Sequence, residues 1–144
     1  MSSFSTLSLS LLISLFFASL FTNEGKIDFR SPPMTVNITN EINGVNNQLT
    51  VHCKSGDDDL GVHKLPHLVS YTFTFRPNFW GSTLFYCKFQ WSSWLHYFDI
   101  YKDSRDNLRC NQTLCLWIIS EKGICMFNYD TKNYDYCYAW PLAK

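Results

Sequence analysis

The sequence predicts an all-β protein: an antiparallel β-sandwich of about eight short strands, disulfide-bonded, after an N-terminal signal peptide. Three observations support this prediction. Short stretches of alternating apolar and polar residues recur about every ten to twelve residues, which is typical of sandwiches and barrels. No amphipathic helical pattern follows residue 24. Aromatic residues make up 17% of the chain, and such side chains fill a pleated interface well.

Each predicted strand depends on a β-rich run, usually one in which every second side chain is apolar or aromatic. The clearest run places Phe85, Cys87, Phe89 and Trp91 on one face. In chain order, the eight predicted strands are residues 35–39, 49–53, 71–75, 83–91, 97–101, 116–119, 124–128 and 134–140.

The predicted connections are rich in Asn, Gly, Pro, Ser or charged residues, which interrupt regular structure. The first connection is rich in Asn. The second connection contains three consecutive carboxylates with a glycine on each side. We expect residues 62–66 to be a plain connection and the charged segment 102–109 to be a loop. The connections between strands are residues 41–48, 54–66, 77–81, 92–96, 102–109, 121–123 and 130–133.

Residues 1–24 are predicted to be a signal peptide, which leaves residues 25–144 as a single domain. The first 23 residues carry no charged side chain, and their apolar core is shorter than the roughly 20 residues that span a membrane. A signal anchor is the alternative. Two N-glycosylation sequons, at Asn37 and Asn111, also fit export. The sequence therefore predicts a secreted, extracellular, glycosylated protein with no membrane insertion after cleavage.

The charge balance of the predicted domain gives no indication of a nucleic-acid partner. Twelve Lys and Arg residues remain after cleavage, against eleven acidic residues, since Glu24 is lost with the signal. A net charge near +1 does not favour nucleic acid or an anionic surface. We expect a monomer without a cofactor.

All six cysteines lie in the predicted domain, and an even number after a signal peptide indicates disulfide bonds in an oxidising compartment. Structural zinc would need a second close pair besides Cys110 and Cys115. Cys125 and Cys137 flank a predicted hairpin, so a bond between them is geometrically reasonable, but the sequence does not choose among the pairings. The six residues are Cys53, Cys87, Cys110, Cys115, Cys125 and Cys137.

The chain resembles the plant self-incompatibility S-protein family, whose members are also called S-protein homologues. The resemblance extends in order from about residue 36 to residue 140. Its motifs here are His52-Cys53-Lys54-Ser55, Asp57-Asp58-Asp59-Leu60-Gly61, His63-Lys64-Leu65, residues 79–89 with Trp91, Phe98-Asp99-Ile100-Tyr101, Cys110, Cys115-Leu116-Trp117, Gly123-Ile124-Cys125 and Trp140.

The resemblance implies a secreted β-sandwich that acts as a signalling ligand. Founding members of the family act in the pistil as ligands that let a flower reject its own pollen. The implied partner is an unidentified cell-surface receptor, in pollen–pistil recognition or in other cell–cell communication. The resemblance also implies that four cysteines are shared with the family and that Cys125 and Cys137 are an addition, which favours their pairing with each other.

The acidic corner is interpreted as framework. His52, Asp57, Asp58, Asp59 and Gly61 belong to the family motifs, and Asp side chains commonly cap backbone amides in turns. We expect Cys53 to tie its strand to the opposite sheet. A calcium site is the alternative, but adjacent residues on one backbone rarely converge on one ion.

Recognition is predicted in the polar connections, because loops on a rigid sandwich usually carry binding. The expectation is that Trp94→Ala or Arg105→Glu abolishes receptor binding and leaves the fold intact. The alternative is that the charged segment is only a solvated loop and that the Trp94 side chain packs inward. The candidate residues are Trp94, Lys102, Asp103, Arg105, Asp106 and Arg109.

Two other functions are considered. A hydrolase or ribonuclease would need two titrating groups at one substrate, for which His52 and His63, oriented by Asp58, are candidates among four histidines. No nucleophile motif accompanies them, so no enzyme is predicted. A membrane-active defence protein would need a basic amphipathic stretch, which the sequence lacks.

Overall fold

The computed structural model describes residues 9–16, 29–44 and 47–142, and these contain nine strands in two sheets. The predicted signal peptide lies mostly outside the described residues, and its described part, residues 9–16, is helical (α1). Within the described ranges, no helix has both the length and the apolar character needed to cross a bilayer. The domain consists of β1 (Met34–Asn40), β2 (Leu49–Lys54), β3 (Asp59–Leu65), β4 (Ser70–Phe75), β5 (Leu84–Trp91), β6 (Trp94–Lys102), the one-turn helix α2 (Asp103–Asp106), β7 (Leu114–Ile119), β8 (Gly123–Asn128) and β9 (Asn133–Ala139).

The predicted all-β fold is confirmed. One sheet has the order β4-β1-β7-β8-β9, and the other has the order β3-β2-β5-β6. One pairing departs from the antiparallel prediction: β1 and β7 are parallel, with Val36 opposite Cys115. The chain reaches β7 by crossing from β6 in the other sheet, so no hairpin sets the direction of this pairing, and parallel neighbours need such a long crossover.

The core lies between the sheets and is built from the predicted alternation. In β5, Phe85, Cys87, Phe89 and Trp91 are buried while the residues between them face outward. Central strands β1 and β7 bury every second side chain from the other side. Burying a side chain of this size typically contributes about 1.5–3 kcal/mol, so this alternation is the main source of stability.

The prediction that residues 62–66 form a plain connection is wrong. Residues 62–65 belong to β3, an edge strand that pairs antiparallel with β2, and only Pro66 lies outside it. Most β3 side chains are exposed, so the strand shows no apolar alternation in the sequence. Gly61 interrupts it further with a φ of +78°, a conformation that L side chains rarely adopt.

The three disulfide bonds each close a local contact. Cys53 is bonded to Cys87 and joins adjacent strands of one sheet, so the expectation that Cys53 ties its strand to the opposite sheet is wrong. Cys125 is bonded to Cys137 directly across the β8–β9 hairpin, the pairing that the resemblance favoured. The third bond, Cys110–Cys115, closes the turn before β7.

A buried amide, Asn40, fixes the end of β1. Its Nδ2 donates to the carbonyl of Leu65 at 2.8 Å, and its Oδ1 accepts from the amide of Ile42 at 2.9 Å. A buried polar side chain costs free energy unless it is hydrogen-bonded, and here both ends of the amide have partners. Asn40 therefore ties β1 to the end of β3 in the other sheet.

Gly123 gives a direct test of the β8–β9 packing. A Cβ atom added to it would lie 2.2 Å from the carbonyl oxygen of Tyr138, whereas one added to Gly56 meets nothing within 4 Å. We expect Gly123→Ala to lower the free energy of unfolding by about 1–3 kcal/mol, the usual cost of overpacking. Gly56→Ala is the matched control. Urea denaturation of both variants is the measurement, and equal stability would contradict the packing described.

Candidate recognition surface

The most exposed aromatic pair in the domain lies at the tip of the β4–β5 loop. Phe79 and Trp80 are 81% and 84% exposed, and their rings meet edge to face with centroids 5.5 Å apart. The sequence interpretation placed them only in a family motif. Their position between Pro77 and Gly81, outside every predicted strand, is the signal that could have identified them, because aromatics in a turn have no core to enter.

Hydrogen bonds hold this loop rigid. Asn78 accepts from the amide of Ser82 through Oδ1 at 3.0 Å, and its own amide donates to Oγ1 of Thr83 at 2.7 Å. Gly81 closes the turn with a φ of +68°, a conformation that favours glycine. The two aromatic side chains therefore project from a preorganised turn, which lowers the entropy lost on binding.

The two connections predicted to carry recognition lie at opposite ends of the sandwich. Strand β5 begins beside the β4–β5 loop and ends at the hairpin that leads to Trp94. Eight residues of extended chain span about 25 Å. Lys102, in contrast, pairs with Leu84 at the start of β5, so it lies at the same end as Phe79 and Trp80. A single partner with an interface of modest size therefore contacts one end of the sandwich or the other.

Trp94 is the first residue of β6 and is 47% exposed, so it neither packs fully inward nor projects freely. Its ring is nearly parallel to that of His96, with centroids 6.0 Å apart, and His96 in turn stacks on Trp140 at 4.6 Å. Burial against these rings lowers the pKa of His96. Trp94 is thus one face of a stack that closes this end of the core.

The prediction that residues 102–109 form a loop is wrong for residues 103–106, which form α2, and the alternative of a solvated loop does not hold for Arg105 and Asp106. Asp106 is fully buried in α2. Its carboxylate accepts from the amide of Lys102 at 2.8 Å and from Nε of Arg105 at 2.7 Å. The Arg105 guanidinium lies over the rings of Phe98, Trp117 and Tyr138, 5.0–5.5 Å from their centroids. Arg105→Glu would place a second carboxylate against Asp106, so from this contact we expect the substitution to destabilise the fold.

The other members of this segment divide between structure and surface. Asp103 accepts from the Tyr101 hydroxyl at 2.8 Å, and burial together with this bond raises the pKa of that phenol. Arg109 donates to the Tyr138 hydroxyl at 2.8 Å and lies over the ring of Tyr136. Lys102 is exposed. Of the predicted recognition residues in this segment, Lys102 is therefore the one best placed to meet a partner.

The acidic corner beside the loop is held by hydrogen bonds. Ser55 Oγ accepts from the amide of Asp58 at 3.0 Å, and Asp59 accepts from the amide of Gly61 at 3.0 Å and from Nε2 of His52 at 2.6 Å. The Gly61 bond and then the His52 bond lower the pKa of Asp59. The corner and the Phe79 loop both line an open depression of about 700 Å³. Here the acidic residues serve as turn framework.

The histidines do not converge on a common substrate position. His52 is opposite Val62 and His63 is opposite Val51, so the two rings leave adjacent strands on opposite faces of the sheet. His63 stacks on Tyr71 at 3.8 Å, and its Nε2 is 2.8 Å from the carbonyl of Leu60. In the described part of the chain, no three His, Cys, Asp or Glu side chains are grouped to hold a metal ion.

The two sequon asparagines have different surroundings. Asn37 lies in the middle of β1, and its Nδ2 donates to Oγ1 of Thr72 on β4 at 2.7 Å. Asn111 is exposed in the turn between α2 and β7, with a φ of +50°. Both side chains belong to the outer surface, and their glycosylation stays a prediction.

These features define a class: a small, disulfide-bonded β-sandwich that displays side chains on rigid connections. Residues 35–140 match the family model of plant self-incompatibility protein S1, and the chain belongs to that family. It is 44% identical over 117 residues to S-protein homolog 2 of Arabidopsis thaliana, covering 78% of this chain and 71% of that one. It is 45% identical over 105 residues to S-protein homolog 5 of the same plant, covering 73% and 76%.

A solved structure supports the fold. It is described as a self-incompatibility protein homologue from a widespread family of small, highly stable, secreted plant proteins. It superimposes with a TM-score of 0.58 at 17% identity, covering 76% of this chain and 96% of that one. At this identity the likeness concerns the fold. Membership of this family makes the chain a secreted plant protein.

The buried ion pair gives the first prediction from this surface. Arg105→Ala leaves the Asp106 carboxylate buried without a counter-charge, and we expect it to lower the free energy of unfolding by about 3–5 kcal/mol. Lys102→Ala, at an exposed side chain of the same segment, is the control and should stay within about 0.5 kcal/mol of the parent. Urea denaturation measures both. Arg105→Ala as stable as the control would show that the pair contributes nothing.

Asp59 gives a prediction of pH dependence. Its folded-state pKa is lowered from the ordinary value of 3.8, so its stabilising effect is full above that pH and is lost as pH falls through the folded value. We expect Asp59→Asn to melt below the parent at pH 7, and the difference to disappear in acid. Thermal melts from pH 7 to pH 2 are the measurement.

The matched control for that series is Asp57→Asn in the same corner. Within the described ranges, no hydrogen bond to the Asp57 carboxylate parallels the two that Asp59 accepts. It should melt with the parent at each pH. A constant difference between Asp59→Asn and the parent across the series would exclude ionisation of Asp59 as the cause.

Proposed function

We propose that the protein is an extracellular signalling ligand, recognised by a cell-surface receptor protein through the sandwich end that carries Phe79 and Trp80. The observation that supports this most strongly is the exposure of both aromatics on a hydrogen-bonded turn. Exposed apolar patches often mark interaction sites on soluble proteins. Trp is also enriched among the residues that dominate protein interfaces. The responding cell is a neighbouring plant cell, which is pollen when the protein is made in the pistil.

The surroundings of the pair fit a protein partner. Lys102 and the acidic corner at Asp57 and Asp58 are exposed at the same end. Interfaces typically have an apolar centre and a polar rim, and charges on the rim set the association rate and partner choice. In this proposal Phe79 and Trp80 are the centre, and the charged side chains are the rim. Trp94 lies outside the contact.

The proposal includes no catalytic role and no nucleic-acid partner, and the ligand acts as a monomer without a cofactor. The separation of His52 and His63 on opposite sheet faces supports the absence of an acid–base pair. Membrane disruption is a different class of function. The loop that carries this short, rigid tip lines one depression with Asp57 and Asp58, whose carboxylates anionic lipid repels, and this argues for a protein partner.

The test is binding to intact plant cells that respond to the protein. We expect Trp80→Ala to weaken binding about thirtyfold, corresponding to the roughly 2 kcal/mol of a hot-spot residue. The thermal midpoint should not change, because the side chain is exposed. Labelled protein titrated onto cells or isolated membranes gives the dissociation constant.

Trp94→Ala is the matched control, since it removes the same side chain from the opposite end. It should bind like the parent. Loss of binding with Trp94→Ala and normal binding with Trp80→Ala would place recognition at the β5–β6 hairpin and overturn the proposal. Leakage from vesicles at the same concentrations would favour the membrane-active alternative.

A further inference from the structure

The basic residues of the strands lie in one sheet. Among the described strands, those of the five-stranded sheet carry no lysine or arginine, and Asp135 is their one charged residue. The strands of the four-stranded sheet carry two aspartates, Asp59 and Asp99, and four lysines: Lys54, Lys64, Lys88 and Lys102. An almost neutral protein thus places a positive field on one broad face.

This charge is only partly compensated within the molecule. Lys54 lies 3.8 Å from Asp59, which is also bonded to His52. In the described residues, Lys64 and Lys88 have no carboxylate at ion-pair distance. Lys88 lies on a central strand of the sheet, so its ammonium group faces outward over the middle of the face. A partner with negative charge would complement it.

Two exposed tyrosines alternate with these lysines. Tyr86 is opposite Lys54, and Tyr97 is opposite Lys88, so each phenol ring has an ammonium group as its cross-strand neighbour. Tyr97 is 67% exposed and Tyr86 is 40% exposed. Directly opposite side chains lie about 5 Å apart and alternate ones in a strand about 7 Å apart. The face therefore alternates aromatic rings with positive charges. The distances between these side chains are comparable to the size of one pyranose ring.

The shape of the face is shallow and open. His52, Lys54, Tyr86, Lys88 and Tyr97 together line a depression of about 170 Å³. This is smaller than the roughly 300–1,000 Å³ of a small-molecule pocket. It is also too shallow for a buried anchor side chain. It lies over the outer face of β2, β5 and β6, whereas an added peptide strand would pair with the backbone of an edge strand. An extended, flat ligand fits it better than a compact one.

We propose that the outer face of the four-stranded sheet binds an acidic polysaccharide, a linear polyuronate whose sugar rings stack on Tyr86 and Tyr97 while their carboxylates meet Lys54 and Lys88. Sugar rings offer apolar faces that match exposed aromatic rings, and each uronate adds one carboxylate. Polymers of this class are components of the extracellular matrix into which a secreted plant protein is released. This contact would hold the ligand near its site of release, separately from receptor recognition at Phe79 and Trp80.

The test measures binding of the full secreted chain to three polymers by calorimetry at low salt. Polygalacturonic acid offers rings and carboxylates, its fully methyl-esterified form offers rings alone, and poly-L-glutamate offers carboxylates alone. The variants are Tyr97→Ala and Lys88→Gln, with Tyr134→Ala on the other sheet and Lys122→Gln in the β7–β8 turn as matched controls. A thermal melt of each variant verifies folding.

We expect binding to polygalacturonic acid that weakens with ionic strength, because exposed charges are screened by salt. Each variant should weaken it about tenfold, the loss expected from removing one anchoring side chain, while the controls bind like the parent. The esterified polymer should bind at least about tenfold less well than the acid form. Equal affinity for poly-L-glutamate, no loss with Tyr97→Ala, or no binding to polygalacturonic acid would each overturn the proposal.

Discussion

The path of the chain between the two sheets depends on one buried carboxylate. Asp106 is fully buried, and it is stable there because its oxygens accept from a backbone amide and from the Arg105 guanidinium. The guanidinium in turn covers rings from three strands, Phe98 on β6, Trp117 on β7 and Tyr138 on β9. These strands belong to both sheets, so a single ion pair fixes where the chain crosses between them. The parallel pairing of β1 with β7 follows from that crossing.

This constraint separates the parts of the chain that build the sandwich from those that a partner can reach. The acidic corner and most of the charged segment are engaged in internal hydrogen bonds. Among the residues that stay exposed, two groups are proposed as contact surfaces: the aromatic tip at Phe79 and Trp80, and the lysine-rich face of the four-stranded sheet. The tip lies beyond the end of the sheet and the lysines lie on its outer face, and the two surfaces adjoin at Tyr86 and Lys102.

Much of the fold was predictable because alternation has one dominant cause. Residues such as Phe85 and Phe89 alternate with polar ones since one face of each strand is buried, and the sequence records this directly. Edge strand β3 leaves no such record, because most of its side chains are exposed and the others do not alternate regularly. The direction of β7 was also unpredictable, since parallel pairing depends on tertiary contacts and not on local pattern.

The candidate site was predicted less well for a related physical reason. Arg105 and Asp106 are charged residue types that usually lie in solvated loops. Only their three-dimensional neighbours show that each neutralises the charge of the other in the core. Phe79 is a residue type that usually lies in the core. It is exposed here because it occupies a turn closed by Asn78. In both cases residue type predicts the wrong environment, and the contacts made across the chain decide it.

In the proposed mode of recognition, the receptor meets the Phe79–Trp80 end of the sandwich. Photo-crosslinking on intact responsive cells tests this contact, with p-benzoylphenylalanine in place of Trp80 in one protein and of Trp94 in another. We expect a covalent adduct with one membrane protein from position 80, competed by the unlabelled parent, and none from position 94. An adduct from position 94 with none from position 80 would contradict it.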